Sequence, residues 1–367
     1  MMRQTRICFV CDDLLKGLDQ RNPSASYFLG LSKHINLSGA DSAAFRIHQD
    51  QHKIRGIARF PVASEDFPRI LKVVFYPIPE WMFVRRFCSD SWNREFDLYH
   101  LYGPKIMKLG VPFVVSIDST YRTSAELGYP YRGPRLELLS RLMKRNLQQA
   151  IFVNPFTRFA AERIIEEFTI SPTRVHVIPP GVDTDRFKPR RETSSETVNA
   201  LFVGSEFRRK GGEILLEALS RIPEEKHLRL TIVSRDFTPS VKGRIRFLGS
   251  VPYGQLLQTF ASSDIFIVPG TAEAYGFAQL EAMASGLASV APDHPLRREI
   301  AEDSAVYFKS GESSDLAEKL MQLADDVVRI RSLGKIARNI VESRHRWDIV
   351  SKQISDLYDD ALEEARA

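Results

Sequence analysis

Two stretches of the chain carry residue types and spacings that could do chemistry. In "GTAEAYGFAQLEAMASGLASVAP", residues 270–292, the only charged side chains are Glu273 and Glu281, with seven residues between them. A carboxylate accepts hydrogen bonds from hydroxyl groups, two at a time where the hydroxyls are adjacent, so isolated carboxylates in an oily stretch suit a polyhydroxylated ligand. Upstream, "DIFIVPG" reads as a strand, and "FAQLEAMAS" reads as a helix of strong helix formers closed by Gly286. Glu273 then falls in the loop at a strand's carboxyl end and Glu281 in the body of the helix. Gly276 and Phe277 begin that helix, where free N–H groups and partial positive charge favour an anion such as phosphate. The plainer alternative is a dipole partner at Glu273 and a solvated Glu281.

The second stretch is "LFVGSEFRRKGGEILLEAL", residues 201–219. It reads as a strand ending at Gly204, a turn carrying Arg208, Arg209 and Lys210, and a helix starting near residues 211–212. Cations beside a helix N-terminus form an anion trap, in which each charge-assisted bond contributes about 1.5–3 kcal/mol. A basic surface turn is the alternative. In the first half, Asp118 follows the strand "FVVSI", and His100 lies in "DLYHLYGP". His100 is a weak candidate at a strand end, against a satisfied structural His, and Asp118 by itself reads as a turn cap. Two decoys are set aside. Asp183-Thr184-Asp185 spells D-x-D but follows no donor-type strand. Cys8 and Cys11 form a C-x-x-C without the second pair a zinc site needs, and Cys8 sits inside the apolar run "ICFVC".

These residues need elements to hold them. "RICFVC", "FDLYHLYG", "FVVSID", "AIFVN" and "VHVIPPG" read as buried strands in the first half. "NALFVG", "LRLTIVS", "IRFLGS", "DIFIVPG" and "ASVAPD" do so in the second, with helical segments such as 135–150 and 155–168 between strands. Such alternation predicts an α/β protein with parallel sheets covered by helices on both faces. The polar tract 188–199 marks a boundary. The expected architecture is two doubly wound, Rossmann-like domains facing a cleft: 1–188, 189–345, and a helical segment 346–367 returning towards the first. The 367 residues suit two cores, and the composition, 43% hydrophobic and 26% charged, is that of a folded globular chain and argues against disorder. No apolar run is long enough to span a membrane, and the opening "MMRQTRICFVCDD" reaches acid too soon for a secretory signal, so a cytoplasmic location is expected. Residues 1–190 hold 28 Lys/Arg against 19 Asp/Glu, whereas the remainder is slightly acidic. A basic first half suggests an anionic partner. Segment 135–150 places Arg141, Lys144 and Arg145 opposite its apolar face, which suits peripheral contact with an anionic membrane or simple packing on its own sheet.

Taken together, the segments between 151 and 300 resemble glycosyltransferase family 4, retaining enzymes of GT-B fold. "PGTAEAYGFAQLEAMASGLASVA" is similar to that family's E-x7-E signature, "LFVG…RRKGGEILLEAL" to its diphosphate clamp, and "FVNPFTRFAAERIIEEF…VHVIPPGVDTDRFKP" to its run into the interdomain hinge. The resemblance implies transfer of a sugar from a nucleotide-diphosphate-sugar to a hydroxyl of a saccharide or lipid-linked acceptor, with no cofactor, no metal and no nucleic acid. It implies that Glu273 holds the transferred sugar and Glu281 the ribose. Lys210 and Arg209, with Arg208 as the other candidate, would bind the diphosphate. Gly276, Phe277 and the strand-end Gly204 would assist, and the base would rest near 249–252. The chain departs from the pattern in places. Ser205 follows Gly204 where an Arg is common, Asp118 stands where many members carry His, and "DHP" at 293–295 replaces a Gly-Gly. The family's Gly-Gly loop near the N-terminus is either replaced by Asn22-Pro23 or moved to Gly17. Two rival readings are an epimerase of the same architecture and a donor-binding protein without catalysis.

Overall fold

Apolar runs bounded by turn residues become short parallel strands, and the amphipathic segments between them become the helices that cover both faces. The computed structural model describes residues 7–10, 27, 31, 97–103, 112–189 and 197–366. Gly17, Asn22, Pro23, Cys11 and Cys88 lie outside them. The contacts divide the chain into two units. One comprises the described residues of Met1–Arg122, Tyr131–Ile178 and Ser351–Ala367; the other comprises those of Thr123–Pro130 and Pro179–Val350.

In the first unit, strands β1 (Ile7–Val10), β2 (Leu98–Tyr102), β3 (Phe113–Ile117) and β4 (Phe152–Pro155) form a parallel sheet in that order. Cys8 lies in β1, opposite Tyr99. β2 and β3 are buried along their whole length, as strands covered on both faces must be. Helix α1 (Tyr121–Glu126) follows β3. Helix α2 (Gly133–Gln149) starts on a favoured early proline, and Leu139, Met143 and Leu147 make its buried stripe. Met143 and Leu147 pack with Leu101, Val115, Ile164 and Phe168 in one core. The guanidinium of Arg174 donates to the carbonyls of Leu147, Gln148 and Ala150, closing the helix end where cations are favoured. Helix α3 (Arg158–Phe168) is capped by Thr157, whose hydroxyl accepts from the Ala160 N–H at 3.1 Å.

A buried polar network runs through this sheet. His100, with no exposed surface, has Nδ1 2.5 Å from the Tyr358 hydroxyl and Nε2 2.6 Å from Ser116 Oγ. Ser116 Oγ also accepts from Asn154 Nδ2 at 2.8 Å and lies 3.2 Å from the Tyr27 hydroxyl. Burial lowers the imidazole to about 3, so the ring is neutral, with one nitrogen donating and the other accepting. "VHVIPPG" is not a strand. Val175 makes one bridge to Val153, the Ile178 N–H goes to Asn154 Oδ1 at 2.9 Å, and the chain then leaves the sheet. Pro179 and Pro180 explain this, because neither has an N–H for a ladder.

In the second unit, β5 (Val198–Val203), β6 (Leu228–Val233), β8 (Ile245–Phe247), β9 (Ile265–Ile267), β10 (Ala288–Pro292) and β11 (Ala305–Phe308) are parallel, and β7 (Ser240–Lys242) adds an antiparallel edge. The spatial order is β11-β10-β9-β5-β6-β8-β7. Ranked along the chain, the parallel strands follow the dinucleotide-binding order, and their direction of travel reverses between β5 and β9. Ligands in such sheets bind at the strands' carboxyl ends beside that reversal. Helices α4 (Gly212–Ser220), α5 (Tyr253–Ala261), α6 (Phe277–Ala284), α7 (Pro295–Ala301), α8 (Ser313–Ala324) and α9 (Val327–Arg344) complete the layers. The segment after Pro179 is stitched to this unit. Arg338 on α9 donates to the carbonyls of Phe187 (2.7 Å), Ala284 (2.5 Å) and Thr184 (3.2 Å). The Val182 N–H reaches the His345 carbonyl at 2.7 Å, and His345 Nδ1 lies 3.0 Å from the Pro180 carbonyl. Helix α10 (Trp347–Glu364) closes the described chain, and from Ser351 onward it groups with the first unit, where Tyr358 meets His100. Among the described residues no helix is long and apolar enough to cross a membrane.

Tyr358→Phe keeps the ring and deletes the hydroxyl that serves His100. An unsatisfied buried ring nitrogen is expected to destabilise the fold by about 1–3 kcal/mol, read as a lower midpoint in urea denaturation with an unchanged slope.

Candidate active site

The reversal between β5 and β9 is where the two chemically interesting stretches meet. β5 gives way to Gly204, where a Cβ would stand 2.6 Å from the stem of Lys210 and 2.9 Å from the Phe202 ring, so glycine leaves room for both side chains. The following turn is held by the Phe207 N–H on the Asp236 carboxylate at 2.7 Å. It ends at Gly211, which adopts φ +82° as the residue before α4. A Cβ on Gly211 would stand 2.7 Å from the Gly270 nitrogen in the loop after β9. Glycine at this point therefore lets the two loops touch, and the contact places Lys210 Nζ 2.5 Å from Glu273 Oε2. Both side chains are largely buried, 17% and 25% exposed, so the attraction is little screened. Burial pushes the Glu273 carboxyl up, but Lys210, Arg297 and Arg209 outweigh it and hold the group below the usual carboxylate range.

Arg209 is fixed from three sides. It pairs with Glu206 at 2.5 Å, donates to the Ala272 carbonyl at 2.6 Å, and lies over the Tyr129 ring at 4.4 Å from the centroid. Arg208 turns outward, 86% exposed, and pairs with Glu213 at 3.1 Å. The "RRK" run thus divides into one outward cation, Arg208, and two inward ones, Arg209 and Lys210.

Gly276 precedes α6 at φ +97° with no side-chain cap, and Phe277 is the first helical residue. The start of α6 therefore presents main-chain donors and the positive end of the helix dipole beside Lys210 and Glu273. Glu281 is half-buried on the same helix. Desolvation raises its carboxyl to about 8, with Lys210 opposing. Residues 249–252 lie between β8 and α5, and Tyr253, which opens α5, faces Glu281 and Arg186 electrostatically. Asp118 stands partly buried immediately after β3 in the first unit, and His100 lies inside β2. The Asp183 carboxylate accepts from the backbone N–H groups of Asp185 (3.2 Å) and Arg186 (3.0 Å), a local turn.

One residue of this site is absent from the sequence reading. Arg297 on α7 is 1% exposed and, with Phe202, Gly270 and Gln279, helps line the cavity that Lys210 and Glu273 share. It reaches the carbonyls of Glu273 and Tyr275 and the side chain of Gln279. The only signal in sequence is the pair Arg297-Arg298 after a strand, and Arg298 is exposed, ion-paired to Asp293 at 2.6 Å.

Comparison with known proteins identifies the family and the fold. Residues 197–326 match the sequence profile described as glycosyl transferases group 1, and residues 40–186 match that of glycosyltransferase family 4. The phosphatidyl-myo-inositol mannosyltransferase of Mycobacterium tuberculosis is 30% identical over 293 residues, covering 72% of this chain and 74% of that protein. The D-inositol 3-phosphate glycosyltransferase of Corynebacterium aurimucosum is 28% identical over 229 residues, and the match spans 54% of each protein. In fold, the chain is similar to sucrose-phosphate synthase from Thermosynechococcus elongatus, with a TM-score of 0.74 over 98% of this chain and all of that one, at 16% identity. Two α/β units, each built on a parallel sheet, give the chain the GT-B fold. The chain belongs to glycosyltransferase family 4.

The raised Glu281 carboxyl has a consequence for stability. A carboxyl that titrates near 4.5 when unfolded and near 8 when folded contributes stability that is fully present below about 4.5 and is lost as pH rises to 8. The melting temperature is expected to fall across that window, and Glu281→Gln, uncharged at every pH, should flatten the fall in a thermal-shift series.

Proposed function

We propose that the protein transfers a hexosyl group, with retention, from a nucleotide-diphosphate-sugar held by the second unit to a hydroxyl of a saccharide or lipid-linked acceptor. The observation that carries this is Lys210 against Glu273 at the β5–β9 reversal, beside the uncapped start of α6. In this reading Lys210 and Arg209 hold the diphosphate, assisted by the main chain at Gly276 and Phe277 and by the room that Gly204 leaves. Glu273 accepts hydrogen bonds from the hydroxyls of the sugar, and Glu281 does so from the ribose. The bond from the anomeric carbon to the diphosphate oxygen breaks, and its electron pair leaves with the diphosphate. The acceptor oxygen bonds to the anomeric carbon on the same face, and its proton passes to a donor phosphate oxygen. Fixed cations and helix N–H groups stabilise the charge that develops on the leaving group, so the reaction is proposed to need no metal.

The acceptor side belongs to the first unit in this proposal, with Asp118 as its carboxylate. A relative named for phosphatidyl-myo-inositol and the exposed Arg132, Arg141 and Arg145 on and beside α2 support a lipid-linked acceptor and peripheral contact with an anionic membrane from the cytoplasm.

A thermal-shift screen against UDP-, GDP- and ADP-sugars is expected to single out one donor, because a ligand selective for the folded state raises the melting temperature. With that donor, Glu273→Ala should lower kcat at least a hundredfold while the nucleotide still binds. Full turnover by that variant would refute the assignment. Arg209→Ala should weaken nucleotide binding at least tenfold, and Arg208→Ala less than threefold, measured by calorimetry.

A further inference from the structure

Arg297 has the largest fully buried side chain among the described residues, and none of them places a carboxylate within ion-pair distance of it. Burying a guanidinium is costly, by several kcal/mol even after relaxation, unless its donors are met. Here they are met by the donor loop itself. Nη2 donates to the Glu273 carbonyl at 2.5 Å, and Nη1 donates to the Tyr275 carbonyl and to Gln279 Oε1, each at 2.9 Å. These acceptors lie on both sides of Gly276, so one planar fork joins the loop after β9 to the first turn of α6. A Cβ at Gly276 would stand 2.6 Å from Nη1, which shows how closely the guanidinium underlies the helix start.

Gln279 shows how strongly the arrangement is imposed. Its amide presents oxygen to Arg297, and its Nε2 is buried with no hydrogen-bond partner among the described residues. Flipping the amide would set donor against donor. The unmet Nε2 is therefore the consequence of giving Arg297 an acceptor. Such an unsatisfied group costs about 1–3 kcal/mol. A tether kept at that cost holds geometry that matters elsewhere.

From this we infer that Arg297 is a positioning residue of the donor site. It fixes the turn 273–279 so that the Glu273 carboxylate and the N–H groups of Gly276 and Phe277 converge on the sugar and diphosphate, and it adds a fixed positive charge to those of Lys210 and Arg209 around Glu273. The charge has a direction of action. Lys210, Arg297 and Arg209 all favour the ionised form of Glu273, while Tyr129, Tyr275 and Tyr307 face Arg297. Removing Arg297 leaves Glu273 with less opposition to its burial, so it takes up a proton at a higher pH. A protonated carboxyl accepts fewer hydroxyl hydrogen bonds.

The inference rests on the donor-site reading, and the test separates the two. UDP, GDP, ADP, UDP-glucose, GDP-mannose and ADP-glucose are titrated calorimetrically into the full chain between pH 5 and 8. If the unaltered chain binds none of them, the donor-site reading fails and the inference with it. Where one sugar nucleotide binds, R297M is expected to weaken it at least tenfold at neutral pH and further as the pH falls. R297K is expected to recover part of the affinity and the flatter acid side. Glu281 titrates in every variant, so the comparison is made between variants at each pH. Should R297M fail to fold, Q279E serves instead. It gives Arg297 a carboxylate that keeps the turn tethered but cancels its charge, and the expected result is affinity that drops on acidification where the unaltered chain holds. A folded R297M with unaltered affinity and pH profile, or a Q279E with an unaltered profile when R297M does not fold, overturns the inference while leaving the donor site in place.

Discussion

The ion pair between Lys210 and Glu273 is the constraint around which the second unit is arranged. Two charges withdrawn from water each lose several kcal/mol of hydration, which their mutual attraction recovers only with good geometry and further partners. The protein supplies both. Lys210 is held by a loop that Gly204 and Gly211 allow to close on Gly270, and Glu273 has Arg209 and Arg297 within electrostatic reach. In the proposed reaction a diphosphate competes for Lys210 and releases Glu273 to accept from sugar hydroxyls. The pair thus keeps two reactive charges ionised and in place, and its exchange is a swap of one anion for another.

Topology decides why this pair can exist. Only where strand order reverses do two neighbouring loops diverge enough to leave a crevice, and β5 and β9 are the neighbours that do so here. The loop after β5 carries cations, and the loop after β9 carries the carboxylate. Both end in helices whose first turns point at the crevice. The covered strands beneath supply rigidity, with Phe202, Leu215, Ile232, Ile267 and Val290 in one continuous core.

Much of this was legible in the sequence because charge in an oily stretch has few explanations. Glu273 and Lys210 stand near glycines past strand ends and Glu281 lies within a run of helix formers, and local spacing alone sets them on a loop, a turn and a helix. Arg297 was not legible. It and Arg298 are chemically identical neighbours with opposite fates, and what separates them is a set of carbonyls some 20 residues away in sequence. The same limit divides Arg208 from Arg209, since one step in a turn selects the side and composition does not. "VHVIPPG" has the apolar content of a strand, yet two prolines remove the donors a ladder needs. The polar tract 188–199 looks like a boundary, but contacts divide the chain at Pro179. The stitching of 180–187 comes from Arg338 on α9 and from His345 just past its end, about 150 residues further on, and no local property announces it.

That stitching bears on how halves of related chains can be recombined. A chimera joined in the polar tract would take Arg338 and His345 from one parent and the 180–187 segment whose carbonyls they hold from the other, so those bonds would depend on the second parent's backbone following the same path. Joints at 178/179 and 350/351 carry every one of those bonds across intact and leave Tyr358 with the His100 it serves. The serviceable seams for shuffling donor specificity are therefore set by a guanidinium and an imidazole, and not by the stretch of chain that looks most like a linker.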